Sequence, residues 1–427
     1  MRDRTVWVMV SLVWLCLAAG CGRSKSSVAD QTDPDSVASD QVSGTDLQGD
    51  VAVPSDQSDD DSAEPNDLAA GDLETPDVST DVEGDVEPPD TTPDASLKPT
   101  WLDDTTADFP SMLSEVGIYP TMTDRSTVDP RLVFYEPRFP LWTDGALKSR
   151  HIYLPPGTKI DNSTKQWSFP DGTALFKHFE FPGQPVETRI LRKRNGQWNT
   201  TVYQWNSEGT EAMRVTSDLP ISVTIEGHSD LKYRIPNSAQ CELCHGTNAT
   251  FIIGFDELRL NHKIDAYEKK QIEHFADLGM FEKPLPVPLE DVTGKDSATI
   301  LAKGYLHGNC AHCHNAKGIN SSMNLRHDMI EASVYNKPTD GGGTAGIRLV
   351  PKDPEGSTLF IATVRWGTDE GIKNMPFIGV SKTDPSLEKI LSDWINGMCA
   401  DSGDCTNGDA CVYGTCCKDA NDDKVCD

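Results

Sequence analysis

Twelve cysteines fall into three groups, and their distribution constrains this chain more than any other feature. Cys16 and Cys21 stand in an apolar leader. Four more belong to two motifs, Cys241-Glu242-Leu243-Cys244-His245 and Cys310-Ala311-His312-Cys313-His314, and the last six lie between Cys399 and Cys426. The spacing of the two motifs has chemical meaning. Two thiols separated by two residues can add to the two vinyl groups of one porphyrin, and the imidazole that follows projects to its iron, so this pattern is a signature of covalently attached haem c. One copy alone also fits a redox dithiol or half a zinc site. Two copies in one chain, behind the apolar leader that holds Cys16 and Cys21, favour haem. The expected haem-binding residues are therefore Cys310, Cys313 and His314, and at the first motif Cys241, Cys244 and His245.

The N-terminus carries the export signal. Arg2 and Arg4 precede an apolar stretch over residues 6–19, too short to span a bilayer as a stable helix, which ends Leu17-Ala18-Ala19-Gly20-Cys21. Small residues directly before a cysteine resemble a bacterial lipobox. That resemblance implies that residues 1–21 are a lipoprotein signal peptide with Cys21 acylated, and that the protein is exported and lipid-anchored to the outer membrane. It would face the periplasm or the cell surface and touch the membrane through its anchor only.

Residues 22–98 contain no aromatic residue and no histidine, but 21 acidic residues against Arg23, Lys25 and Lys98. So little apolar surface does not offset chain entropy, and this segment is expected to be a disordered acidic tether. As a flexible coil it would reach on the order of 50 Å. It carries −18 of the formal net charge of −29, so the overall charge says little about partners of the folded part. No basic patch with interleaved aromatics marks a nucleic-acid binder.

Residues 99–240 read as short strands broken by Pro and Gly. The clearest hairpin runs over 187–194 and 197–205 around Asn195-Gly196, a pair suited to the positive φ angles of a type I′ turn. An antiparallel β-sandwich-like domain is expected, with Trp167, Trp198 and Trp205 in its core. Residues 241–290 read as a helical segment holding the first motif, with a helix over 265–278 closed by Gly279. No Met-Pro follows that motif closely. Its sixth iron ligand would come from His262, His274 or Met280, with His274 the nominee, or the position stays open.

The second motif has more context. Residues 291–398 resemble a class I cytochrome c in order and size: a helix, the motif, a long loop, Asn374-Met375-Pro376, and a closing helix. In that helix Leu387, Ile390, Leu391, Trp394 and Ile395 make one apolar stripe behind Asp384-Pro385. The resemblance implies His314 as proximal and Met375 as distal iron ligand. His312, between the attachment thiols, is expected at the surface. Gly341 to Gly346 match a dinucleotide-binding pattern literally, but no strand precedes them, and a turn is expected. Residues 399–427 form a Cys-rich tail too small to build a core, expected to be stapled by three disulfides whose pairing among fifteen possibilities stays open. Its acidic stretch 419–423 is a candidate calcium site without the twelve-residue loop pattern.

A set of short motifs also resembles one family. It comprises Leu141-Trp142-Thr143-Asp144-Gly145, Phe169-Pro170-Asp171-Gly172-Thr173, Glu187-Thr188-Arg189, Gln240 with the first motif, Tyr305-Leu306-His307-Gly308-Asn309 before the second, and Pro351-Lys352-Asp353-Pro354. It is similar to a family of exported bacterial proteins with a β-rich N-terminal part, two such motifs and a cytochrome c-like C-terminal part, with no established biochemical role. The resemblance covers roughly residues 105–398 and implies haem without a substrate. The expectation is an α+β multidomain, haem c-binding lipoprotein that passes electrons to or from a redox partner protein. Two alternatives stay open: a peroxidase- or oxidase-like haem enzyme with an open site at the first motif, and a surface-binding module with structural haem.

Overall fold

A computed structural model describes residues 100–418, apart from 218, 247–250, 341–345, 369–370 and 407–408. The expected leader with Cys21, the acidic tether, most of the Gly341–Gly346 stretch and the acidic stretch 419–423 with Cys426 lie outside the described residues.

Val133–Phe134 (β1), Leu147–Tyr153 (β2), Ala174–Phe181 (β3), Gln184–Arg194 (β4), Gln197–Trp205 (β5) and Ala212–Arg214 (β6) form one antiparallel sheet, each strand beside its sequence neighbours. The Asn-Gly hairpin is present: β4 and β5 pair from Glu187 opposite Gln204 to Arg194 opposite Gln197. Asn195 and Gly196 take φ of 50° and 75°, as a type I′ turn requires.

Strand alternation sorts the two faces of this sheet. Tyr153, Ala174, Phe176, Ile190 and Tyr203 pack beneath the N-terminal segment, which adds Trp101, Leu102, Leu113 and Val116 from two 3-10 turns. On the other face Ile152 and Leu175 pack with Trp167, Phe255 and Phe275. Phe179 and Val202, on the same face, meet Tyr233 and Ile235 of a hairpin built from Ile221–Ile225 (β7) and His228–Ile235 (β8). The strands of the β-rich part thus pair antiparallel, but among the described residues its two sheets meet only at this hairpin. Helices and loops cover the rest.

The helices are Ser238–His245 (α1), Glu257–Leu260 (α2), Gln271–Asp277 (α3), Ser297–Asn309 (α4), Ile330–Val334 (α5), Thr358–Val364 (α6) and Leu387–Asn396 (α7). Asn237, Asp256 and Asp296 cap α1, α2 and α4 through side-chain oxygens that accept N3 backbone protons. The expected helix over 265–278 is confined to α3, because residues 263–270 fold back in a turn closed by a Lys263–Lys270 bridge. Gly279, with φ of 70°, ends it as expected. Leu387, Leu391, Trp394 and Ile395 of α7 are buried against Ala302 and Leu306 of α4. Among the described residues no helix is long and apolar enough to cross a membrane.

One loop fastens the sheet to α4. Phe139 lies directly on Gly304 and Gly308, where a methyl group at either glycine would run into it. Asn309, at the end of α4, accepts from Trp142 N at 2.6 Å and donates to Pro140 O at 3.3 Å. Asp144 accepts from the backbone N–H groups of Ser381 (2.8 Å) and Lys382 (3.1 Å), and Trp142 Nε1 donates to Lys382 O. In the tail, Cys399–Cys411 and Cys405–Cys416 are disulfides, and Cys417 is also disulfide-bonded. They staple a small hairpin of Ala410–Val412 (β9) and Thr415–Cys417 (β10).

The close fit at α4 generates a prediction. Gly308→Ala should cost about 1–3 kcal/mol, because the added methyl meets the Phe139 backbone and not a flexible side-chain tip. Urea unfolding should show an earlier midpoint at an unchanged slope. An unshifted midpoint would mean that the segment at Phe139 can give way.

Candidate functional site

The first motif lies on α1, where positions i, i+3 and i+4 share one face, so Cys241, Cys244 and His245 project together. The second motif begins where α4 ends. Cys310 N still donates to Leu306 O, and both Cys313 N and His314 N donate to Cys310 O, which coils the motif into one further turn. The four motif cysteines remain thiols while the tail cysteines pair.

Both motifs open onto one cavity of about 640 Å³, within the range of ordinary cofactor and ligand pockets. Its floor is the second face of the sheet, with Arg150, Leu175, Lys177, Arg189 and Leu191. The segment holding Met375 and Pro376 forms part of its wall. Met375 is pinned by its backbone: its N–H donates to Ala362 O at 2.7 Å, and its carbonyl accepts from Trp366 Nε1 at 3.1 Å. His314 and Met375 therefore line the same space, as do Cys241, Cys244, His245, Cys310 and Cys313.

His245 is set up as a ligand. Its Nδ1 lies 2.7 Å from the carbonyl oxygen of Phe251, which can only accept, so Nδ1 carries the proton and Nε2 keeps the lone pair. Phe251 holds that carbonyl in place with φ of 63°, a left-handed conformation that a bulky residue rarely adopts. Burial pushes His245 down to about 4, partly offset by that carbonyl, and burial likewise pushes His314 down to about 4. Both imidazoles are neutral at pH 7, the form that ligates a metal. His314 Nδ1 is buried and has no hydrogen-bond partner among the described residues.

The two motifs also meet. Cys244 Sγ, a His312 ring nitrogen and Cys313 Sγ lie within 4.8 Å of one another, a set capable of holding a metal ion. The Cys313 thiol, hydrogen-bonded to Cys244, and His312 beside it draw Cys244 toward thiolate, while the same bond pushes Cys313 up. Burial raises Cys310 to about 12 and also raises Cys241. His312 is thus not at the surface as expected. It is 8 % exposed and faces the first motif, because the turn after α4 directs it inward.

Three nominated ligands are not brought here. His274 stacks on Tyr267 with ring centroids 3.9 Å apart, His262 sits beside Gln271, and Met280 is buried in the core with Phe275. None of the three lines the cavity. Sequence reasoning also missed Phe251, His312 and the cations of the floor. The carbonyl that holds His245 belongs to no motif, and the floor exists only through strand register.

The meeting of the motifs is testable in chain produced without haem attachment. Oxidised glutathione should link Cys244 to Cys313, each disulfide formed releasing two molecules of reduced glutathione, and peptide mass mapping should recover the crossed pair. Recovery of only Cys241–Cys244 and Cys310–Cys313 would contradict the arrangement. No family model, curated protein or solved structure matches this chain, so the reading of the site rests on its own residues.

Proposed function

We propose that the cavity holds haem c and that the protein is an exported, lipid-anchored electron-transfer protein with two haem attachment sites. The observation that carries this reading is that both Cys-x-x-Cys-His motifs, from separate parts of the chain, open onto one cavity. The residues present fit the group. Cys241 and Cys244 would hold one porphyrin with His245 on its iron, and Cys310 and Cys313 a second with His314. Leu175 and Leu191 of the floor offer an apolar surface to a flat ring, and His245 offers Nε2 from a fixed orientation.

Bound iron would supply a one-electron couple. The chain's own residues would orient it, keep water from it and set its potential. Met375, lining the same cavity as His314, suits the distal position of the second site, where a thioether raises the potential relative to a second imidazole. The helix, motif, loop, Met-Pro and closing helix over residues 291–398 support a cytochrome c-like reading of that part. Export and anchoring rest on residues 1–21 and place the redox partner in the periplasm or at the cell surface.

One observation favours a second reading, a haem enzyme with an open position at the first motif: His262, His274 and Met280 stand away from the cavity. Spectra separate the two. Two six-coordinate low-spin haems support electron transfer, and one high-spin haem supports the enzyme.

The test is the intact mass of protein made in a host competent for haem c attachment. Two haems are expected, and replacing Cys241 and Cys244 by Ala should remove one. A colourless product overturns the reading. Met375→Ala should keep both haems, lower the potential of one and abolish its sulfur-to-iron charge-transfer band; an unaltered band would remove Met375 from the ligand set.

A further inference from the structure

Strand register assembles a row of like charges on the cavity floor. Arg150 on β2 lies opposite Lys177 on β3, which lies opposite Arg189 on β4, and all three line the cavity. Like charges directly opposite one another destabilise a sheet. Arg189 has its own counter-charge: Glu187, fully buried, accepts from its Nε at 2.9 Å and its terminal nitrogen at 2.6 Å, and also from Tyr233 O–H at 2.7 Å. Arg150 and Lys177 have no ion pair among the described residues.

The imbalance extends to the whole lining. Arg150, Lys177, Arg189, Arg259, Arg348 and Lys373 line the cavity against one acid, Asp340, which already pairs with Arg348. Arg259 pairs with Asp256. This occurs in a chain with 38 basic and 67 acidic residues, so the cations gather here against composition. Arg150 is only 5 % exposed, and a buried charge without a partner is costly. Burial, with Arg150 beside it, pushes Lys177 well below its usual value; a neighbouring anion would keep it charged.

We propose that Arg150 and Lys177 form a carboxylate-binding floor next to the first motif. Two residues along each strand, roughly 7 Å away, the next row is Ile152, Leu175 and Leu191, of which Leu175 and Leu191 line the cavity. The floor therefore matches a ligand with an apolar body and a carboxylate edge. Arg150 offers a planar fork to a carboxylate and Lys177 a point charge. Cys241 of the first motif packs with Phe179 and Val202, and Lys177 and Arg189 both lie over the Phe179 ring, at 4.9 Å and 4.4 Å from its centroid, which puts the floor beside the first attachment site. Resting on the haem reading, the fitting carboxylates are the propionates of a porphyrin attached there. A free dicarboxylate shares the chemistry.

The test uses the full chain made with haem c attachment, as parent, Arg150→Gln, Lys177→Gln and Lys177→Arg. Intact mass counts the haems, resonance Raman follows the propionate-bending band, potentiometry gives the midpoints, and calorimetry with succinate probes the free-ligand source. The expected result is an unchanged haem count with a shifted propionate band and a lower midpoint in both Gln variants, and restoration in Lys177→Arg. Succinate binding to the parent, weakened about tenfold or more in the Gln variants with the propionate band unmoved, would assign the floor to a free dicarboxylate. If the Gln variants change neither the propionate band nor succinate binding, the proposal is overturned. If the parent is colourless the haem reading fails, and the succinate titration alone decides whether the floor binds carboxylates.

Discussion

The arrangement depends on the approach of residues 139–144 to helix α4. Two glycines one helical turn apart, Gly304 and Gly308, remove the side chains that would hold Phe139 away. Backbone can then run along the helix, and Asn309 at its end bonds Pro140 and Trp142. The same loop continues to Asp144, whose carboxylate accepts two N–H groups from the segment after Met375. A single stretch of chain thereby fastens the sheet both to the helix that carries the second motif and to the loop that carries Met375. With the sheet fastened, α1, which follows β8, brings the first motif onto the same cavity. Remove the approach, and two motifs remain without a shared space.

The cavity concentrates groups that are expensive to bury, and they are dealt with in different ways. Glu187 and Arg189 satisfy each other, with Tyr233 taking a remaining lone pair. His245 is neutralised by burial and oriented by a carbonyl. Cys244 and Cys313 share a hydrogen bond across the two motifs. Arg150 and Lys177 have no ion pair among the described residues, burial works against the charge of Lys177, and sheet pairing alone does not favour them, since their register sets them opposite one another. Groups that the fold leaves in this condition while satisfying their neighbours point to a ligand as the missing counterpart.

Much of this is legible in the residues themselves. The Asn195-Gly196 hairpin, the helix before Cys310, the stripe on α7 and the stapled tail each follow from a local rule, because turn chemistry, capping and periodicity act over a few residues. Where local rules failed, a longer-range contact had decided. The helix over 265–278 lost its first turns to a reverse turn at Lys263–Lys270. His312 turned inward because the motif coils after α4 toward α1, and His274 turned away because Tyr267 offers its ring a stacking face. The floor was the least visible part. Arg150, Lys177 and Arg189 are unremarkable in sequence, each one cation among alternating residues of its own strand. They become a site only when β2, β3 and β4 align, and a shift of one residue in any pairing would send that strand's side chains to the opposite face. The register is supported by the apolar row Ile152, Leu175 and Leu191 on one side of the charges, and on the other by Phe179, which packs with Val202 opposite Arg189. The hydrophobic pattern that builds the sheet is therefore also what places three cations against one another, two of them, Lys177 and Arg189, over the ring of Phe179.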